Sequence, residues 1–113
     1  MIIVLLDEPG LFVFPSASAA VREIEPIDAE QEIRAVFDES AVPYRINWLQ
    51  PNRRARRLFG LLESVVNGQY ELVPAGAPDP QRLRALLERH PDHATPPEAK
   101  PALDALLAKL RAV

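Results

Sequence analysis

Ile2-Ile3-Val4-Leu5-Leu6, Asp7-Glu8-Pro9-Gly10 and Leu11-Phe12-Val13-Phe14 stand in direct succession at the start of the chain. Two apolar runs joined by four turn-forming residues read as a β-hairpin. Because apolar residues occupy every position and not every second one, both faces of these strands are expected to be covered, which places the hairpin at the centre of a sheet. The remaining elements should pack around it.

Downstream, Pro15 breaks the strand and Ser16 is a candidate N-cap for a short helix. Ala17, Ala20, Val21 and Ile24 fall at helical spacing, and Pro26 is expected to end the run. An acidic segment follows. Ile33, Ala35 and Phe37 then alternate with Glu32, Arg34 and Val36 as a half-buried strand would. After a turn at Asp38-Glu39-Ser40-Ala41, the strand Val42 to Leu49 puts Tyr44, Ile46 and Trp48 on one face, and Pro43 belongs at a strand start or an edge. Pro51-Asn52 opens a loop carrying Arg53-Arg54-Ala55-Arg56-Arg57. Residues 58–66 suit either a helix or a strand. Asn67-Gly68 between apolar segments favours a hairpin whose second strand is Gln69 to Val73.

Beyond the connector at 74–80, Asp79 caps a helix with Pro80 in its first turn and Leu83, Leu86 and Leu87 on its buried stripe. His90-Pro91 ends it. A second Pro-rich connector, 91–101, includes Thr95-Pro96-Pro97-Glu98, which has capping-box spacing. The last helix presents Leu103, Leu106, Leu107 and Leu110. The expectation is one α+β domain over residues 1–113: an antiparallel sheet of five to six strands, built from three hairpins, with one short N-terminal helix and two C-terminal helices.

A length of 113 residues, 48% hydrophobic and 26% charged, suits a single folded core and excludes intrinsic disorder. The absence of cysteine excludes disulfides and thiolate metal sites. The first apolar run has no basic leader and meets Asp7-Glu8 after five residues, so it reads as a strand and not as an export signal. No run is long enough to cross a bilayer. A cytoplasmic protein without membrane contact is expected. The net charge of −3 is unevenly spread, with nine acidic and three basic side chains in residues 1–45 against seven and ten in the remainder. Such asymmetry points to a partner surface.

No residue pattern announces catalysis, a metal or a cofactor. His90 and His93, with Asp92, lie in a Pro-bounded loop without the ligand count of a zinc site, and no serine stands in a nucleophile-elbow context. Asp28, Glu30 and Glu32 are the closest carboxylate cluster, and a solvated acidic edge or a docking face for a basic partner explains them without acid–base chemistry. Arg53, Arg54, Arg56 and Arg57, with Trp48 upstream, form a candidate patch for nucleic acid or another anionic ligand, although a sequence pI near 5.4 argues against a nucleic-acid module.

The order of segments carries one resemblance. The opening hairpin, Phe14-Pro15-Ser16 before a short helix, Glu25-Pro26-Ile27-Asp28 before an acidic stretch, and Asn67-Gly68-Gln69-Tyr70-Glu71-Leu72-Val73-Pro74 before a Leu-rich helix resemble small bacterial immunity proteins of polymorphic toxin systems. The resemblance implies a non-enzymatic protein that binds and neutralises a cognate toxin. Because a toxin that acts on nucleic acids or nucleotides has a basic cleft, the acidic surface built from Asp7, Glu8, Glu23, Glu25, Asp28, Glu30, Glu32, Asp38 and Glu39 is then the expected binding surface, acting as a mimic of an anionic substrate.

Overall fold

The computed structural model describes residues 1–7, 10–57, 62–90 and 94–112, with the side chains of 55–57 and 62–65 outside the description. The fold is α+β. A four-stranded mixed sheet forms the middle layer, in the order β3 (Ile33–Asp38), β1 (Ile2–Leu6), β2 (Gly10–Phe14) and β8 (Ala94–Thr95). The opening hairpin pairs as its apolar runs require, from Ile2 opposite Phe14 to Leu6 opposite Gly10. β1 is central, paired with β2 on one side and β3 on the other.

Both faces of this sheet are covered, which is why its strands lack alternation. Ile2, Val4 and Val36 face α1 (Ala17–Glu23), α2 (Pro26–Glu32) and the inward residues of β7, Tyr70 and Leu72. Ile3, Leu11 and Phe37 face α3 (Pro80–Arg89) and α4 (Lys100–Arg111), which contribute Leu83, Leu87, Leu103 and Leu106. Val36 and Phe37 are neighbours buried in opposite clusters, so β3 is not the half-buried strand its sequence suggests.

The local signals are used as expected at two helix starts. The Ser16 Oγ accepts from the Ala19 amide at 3.1 Å, and the Asp79 Oδ1 accepts from the Arg82 amide at 3.1 Å, with Pro80 opening α3. Two others are used differently. Pro26 does not merely stop α1 but occupies the first turn of α2, where its missing N–H is no loss. Thr95 makes no capping box; it pairs in parallel with Phe12, and α4 starts behind a 3-10 turn at Pro97–Ala99.

The largest departure from expectation is strand pairing. Ahead of β4 (Tyr44–Gln50), Pro43 bridges to Phe37 of β3, but β4 itself forms its ladder with β7 (Gln69–Pro74). The expected Arg53–Arg57 loop is a strand, β5, paired with β6 (Leu62–Val66). β4–β5 and β6–β7 thus form one long antiparallel ribbon, in register from Tyr44–Pro74 to Arg57–Leu62 apart from a one-residue slip at Leu49. That extra residue is turned out, 58% exposed, as a β-bulge requires. Residues 62–66, open between helix and strand in sequence, are strand; 58–61 lie outside the described residues.

Asn67-Gly68 is therefore no hairpin turn. It faces Pro51-Asn52 across the ribbon where the two ladders meet. The Gly68 amide donates to the Asn52 Oδ1 at 2.7 Å. A Cβ on Gly68 would lie 2.6 Å from the Pro51 carbonyl carbon and closer still to the Gln50 carbonyl oxygen, so glycine serves strand approach, not a turn. The Asn52 Nδ2 in turn donates to the Pro26 carbonyl at 2.9 Å and to the Glu30 carboxylate at 2.8 Å, tying the junction of the two ladders to α2. The molecule measures 60 × 27 × 20 Å.

Candidate functional site

The nine carboxylates of the expected acidic surface have separate fates. Asp38 builds its own turn: its Oδ1 accepts from the Ser40 and Val42 amides at 2.8 and 3.1 Å, and its Oδ2 from the Tyr44 hydroxyl at 3.3 Å. Such bonds hold the Asp38–Val42 corner, where Ala41 takes a left-handed φ of 64°. Glu39 meets the N-terminal amine at 3.3 Å. Asp7 is gripped by the Arg34 fork, Nε to Oδ1 at 2.9 Å and Nη2 to Oδ2 at 2.7 Å. These hydrogen bonds hold the Asp7 carboxyl below its usual range and raise the guanidinium. Both side chains are half exposed, so the pair orients more than it stabilises. Glu30 accepts from Asn52, Glu25 is exposed ahead of α2, and Glu8 lies outside the described residues.

Glu23, Asp28 and Glu32 are the three that converge. They line a groove of about 340 Å³ together with apolar residues that include Leu6, Phe12, Phe14 and Ile24. Thr95 and Pro96 line it as well. The groove arises from topology. α1 lies against β2 and α2 against β3 on this face of the central sheet, and Phe12 and Phe14 on β2 stay only partly buried. β8 pairs with β2 only at Leu11 and Phe12, and the strand ends before Pro96, which has no N–H to continue it.

The rim is tied to the core through Tyr70. Its hydroxyl, on a side chain 5% exposed, donates to the Ile24 carbonyl at the end of α1 at 2.6 Å. Burial, and secondarily the charge of Asp28, push its pKa up to about 12. Asp28 is thus felt from both sides: it lines the groove and acts electrostatically on the buried phenol beneath.

The arginine patch is split by the ribbon. Arg53 and Arg54, successive strand residues and both exposed, face opposite sides. The Arg56 and Arg57 side chains are not among those described. Trp48 packs into the core beside Tyr70, ring centroids 5.4 Å apart and tilted by 52°. Gln50, Pro51, Arg53, Val66 and Asn67 line a hollow where the two ladders of the ribbon meet. His90 ends α3, and His93 and Asp92 lie outside the described residues. No group of three or more metal-ligating side chains comes together among the described residues, and no described helix is long and apolar enough to cross a membrane.

A groove lined by both apolar side chains and three acidic residues can hold a partner's apolar side chains while pairing with its cations. Sequence reasoning found the carboxylates but missed the apolar lining, because Phe12 and Phe14 read simply as core. No family model matches this chain, and no curated protein or solved structure is significantly similar to it.

Proposed function

We propose that this chain is a non-enzymatic inhibitor of the immunity class, which neutralises a cognate toxin by seating a basic segment of it on the acidic α1–α2 ridge. The observation that carries the reading is the convergence of Glu23, Asp28 and Glu32 on one apolar groove. Carboxylates there steer a cationic segment and reject anionic ones, and Phe12 and Phe14 supply the area that charge alone does not. Glu25 and Glu30 on the same ridge extend the field; Asp38 and Glu39, engaged in the turn and at the N-terminus, contribute through net charge. The site lies in the cytoplasm, where the toxin would act.

Co-expression with the product of an adjacent toxin gene tests this. The chain is expected to protect the cell, and a Glu23→Lys/Asp28→Lys/Glu32→Lys variant is expected to lose that protection while keeping its circular dichroism. Full protection by the folded triple variant would overturn the reading.

A second reading rests on the exposure of Arg53 and Arg54 on a two-stranded ribbon. An element of that width enters the major groove of DNA. Retention of a DNA duplex in a gel at low salt, lost on raising the salt, is its expected signature.

A further inference from the structure

On the face of the central sheet opposite the acidic groove, α3 carries Arg82, Ala85, Leu86 and Arg89 at the i, i+3, i+4 and i+7 positions of one stripe, beside the buried Leu83 and Leu87. Leu5 and Ala35, paired residues of β1 and β3, pack on the same side of the sheet, and Arg34 precedes Ala35 on the outermost strand. With His90, these residues enclose a hollow of about 290 Å³. Among its described lining residues none is acidic, although the whole chain has a net charge of −3. Two of the three guanidiniums are held in place. Arg34 spends Nε and Nη2 on Asp7, which leaves both Nη1 hydrogens to donate elsewhere. Arg82 lies over the Phe37 ring, its guanidinium carbon 5.3 Å from the ring centroid.

We propose that this hollow binds a small organic phosphate, a monoester whose phosphate meets the arginines and whose apolar body lies against Leu5, Ala35, Ala85 and Leu86. Charge sets the class of ligand. With Asp7 balancing Arg34, the guanidiniums of Arg82 and Arg89 are left in excess, and a phosphate monoester carries about −1.5 to −2 at neutral pH where a carboxylate carries half as much. Guanidinium forks donate paired N–H bonds to phosphate oxygens and are weakly hydrated, so little is lost in baring them. Size sets the scale: the hollow stands at the small end of ligand sites, which run from about 300 to 1,000 Å³, and suits a body of one ring. Arg34 and Arg82, already positioned by Asp7 and Phe37, give up less freedom on binding than loose side chains would. None of these residues lines the acidic groove, so the site stands apart from the proposed inhibitor function.

Titration of the purified chain with phenyl phosphate, followed by the NMR shifts of its backbone amides at physiological ionic strength, tests this. Saturable shifts are expected at Leu5, Ala35, Ala85 and Leu86, with a Kd on the order of 1 mM or tighter. Inorganic phosphate, which lacks the apolar body, and benzoate, which lacks the second charge, are each expected to bind several-fold more weakly. Arg82→Gln/Arg89→Gln is expected to raise the Kd roughly tenfold or more. Arg84→Gln, on the same helix but paired with Glu88 outside the hollow, is expected to leave it unchanged. Absence of saturable shifts, inorganic phosphate or benzoate binding as tightly as phenyl phosphate, or shifts centred on Arg53 and Arg54 would overturn the proposal. So would an equal loss of affinity in the Arg84 variant. The shift map uses the unaltered protein, so the test survives a variant that fails to fold.

Discussion

Replacing Tyr70 by Phe removes one oxygen atom from the point where the ribbon meets α1. The ring stays against Trp48, but the Ile24 carbonyl loses its 2.6 Å donor in a buried setting. A hydrogen bond of this kind contributes about 1 kcal/mol net, and an orphaned buried carbonyl costs more, so Tyr70→Phe should lose about 1–3 kcal/mol near neutral pH. At about 5 °C per kcal/mol for a domain of this size, the Tm falls accordingly. The same site predicts a pH signature. The folded-state pKa, pushed up to about 12, lies above the ordinary tyrosine value of 10.0. A raised pKa means that the contribution is fully present below the unfolded value and is lost as pH rises through the folded one. By pH 11 the wild type should have given up about 1.4 kcal/mol at this residue, and Tyr70→Phe nothing. Urea unfolding followed by circular dichroism at pH 8 and pH 11 measures both terms. Tyr44, whose pKa is raised by burial and Asp38, titrates in both proteins and cancels. Equal stabilities at pH 8, or parallel losses at high pH, would refute the reasoning.

Gly68→Ala should destabilise by about 1–3 kcal/mol in the same assay, because the new methyl meets backbone at Gln50 and Pro51 that cannot swing aside; an unchanged Tm would show that the ribbon opens there freely. Leu83→Ala, at a fully buried site beneath the central sheet, should lose about 2–5 kcal/mol by chemical denaturation. A loss under 1 kcal/mol would mean that α3 can settle into the space.

Much of the body was legible locally. Unbroken apolar runs at Ile2–Leu6 and Leu11–Phe14 announce a doubly covered hairpin, and the structure buries both sides of it. Ser16 and Asp79 cap the helices they precede, and Leu83, Leu87, Leu103 and Leu106 face the core as their spacing requires. Short-range geometry governs each of these, so a short window of sequence contains the cause.

Pairing and convergence were not legible. Asn67-Gly68 is a strong hairpin signal, yet it lies opposite Pro51-Asn52 in a long ribbon, because β4 gains more by placing Ile46 and Trp48 beside Tyr70 and Leu72 than β7 would gain by turning back on β6. Turn preferences amount to a fraction of the energy of a buried face. The acidic residues show the same division. Nine carboxylates in the first 45 residues foretell a charged surface, but tertiary packing decides that Asp38 closes a corner, that Asp7 meets Arg34, and that Glu23, Asp28 and Glu32 share a groove. Sequence alone determined the opening hairpin, the capped helices α1 and α3 and the leucine stripes of α3 and α4, since these follow from residue type and spacing along the chain. Only the tertiary structure decided which strands pair and which charges meet, because contacts between distant residues depend on how whole faces fit together.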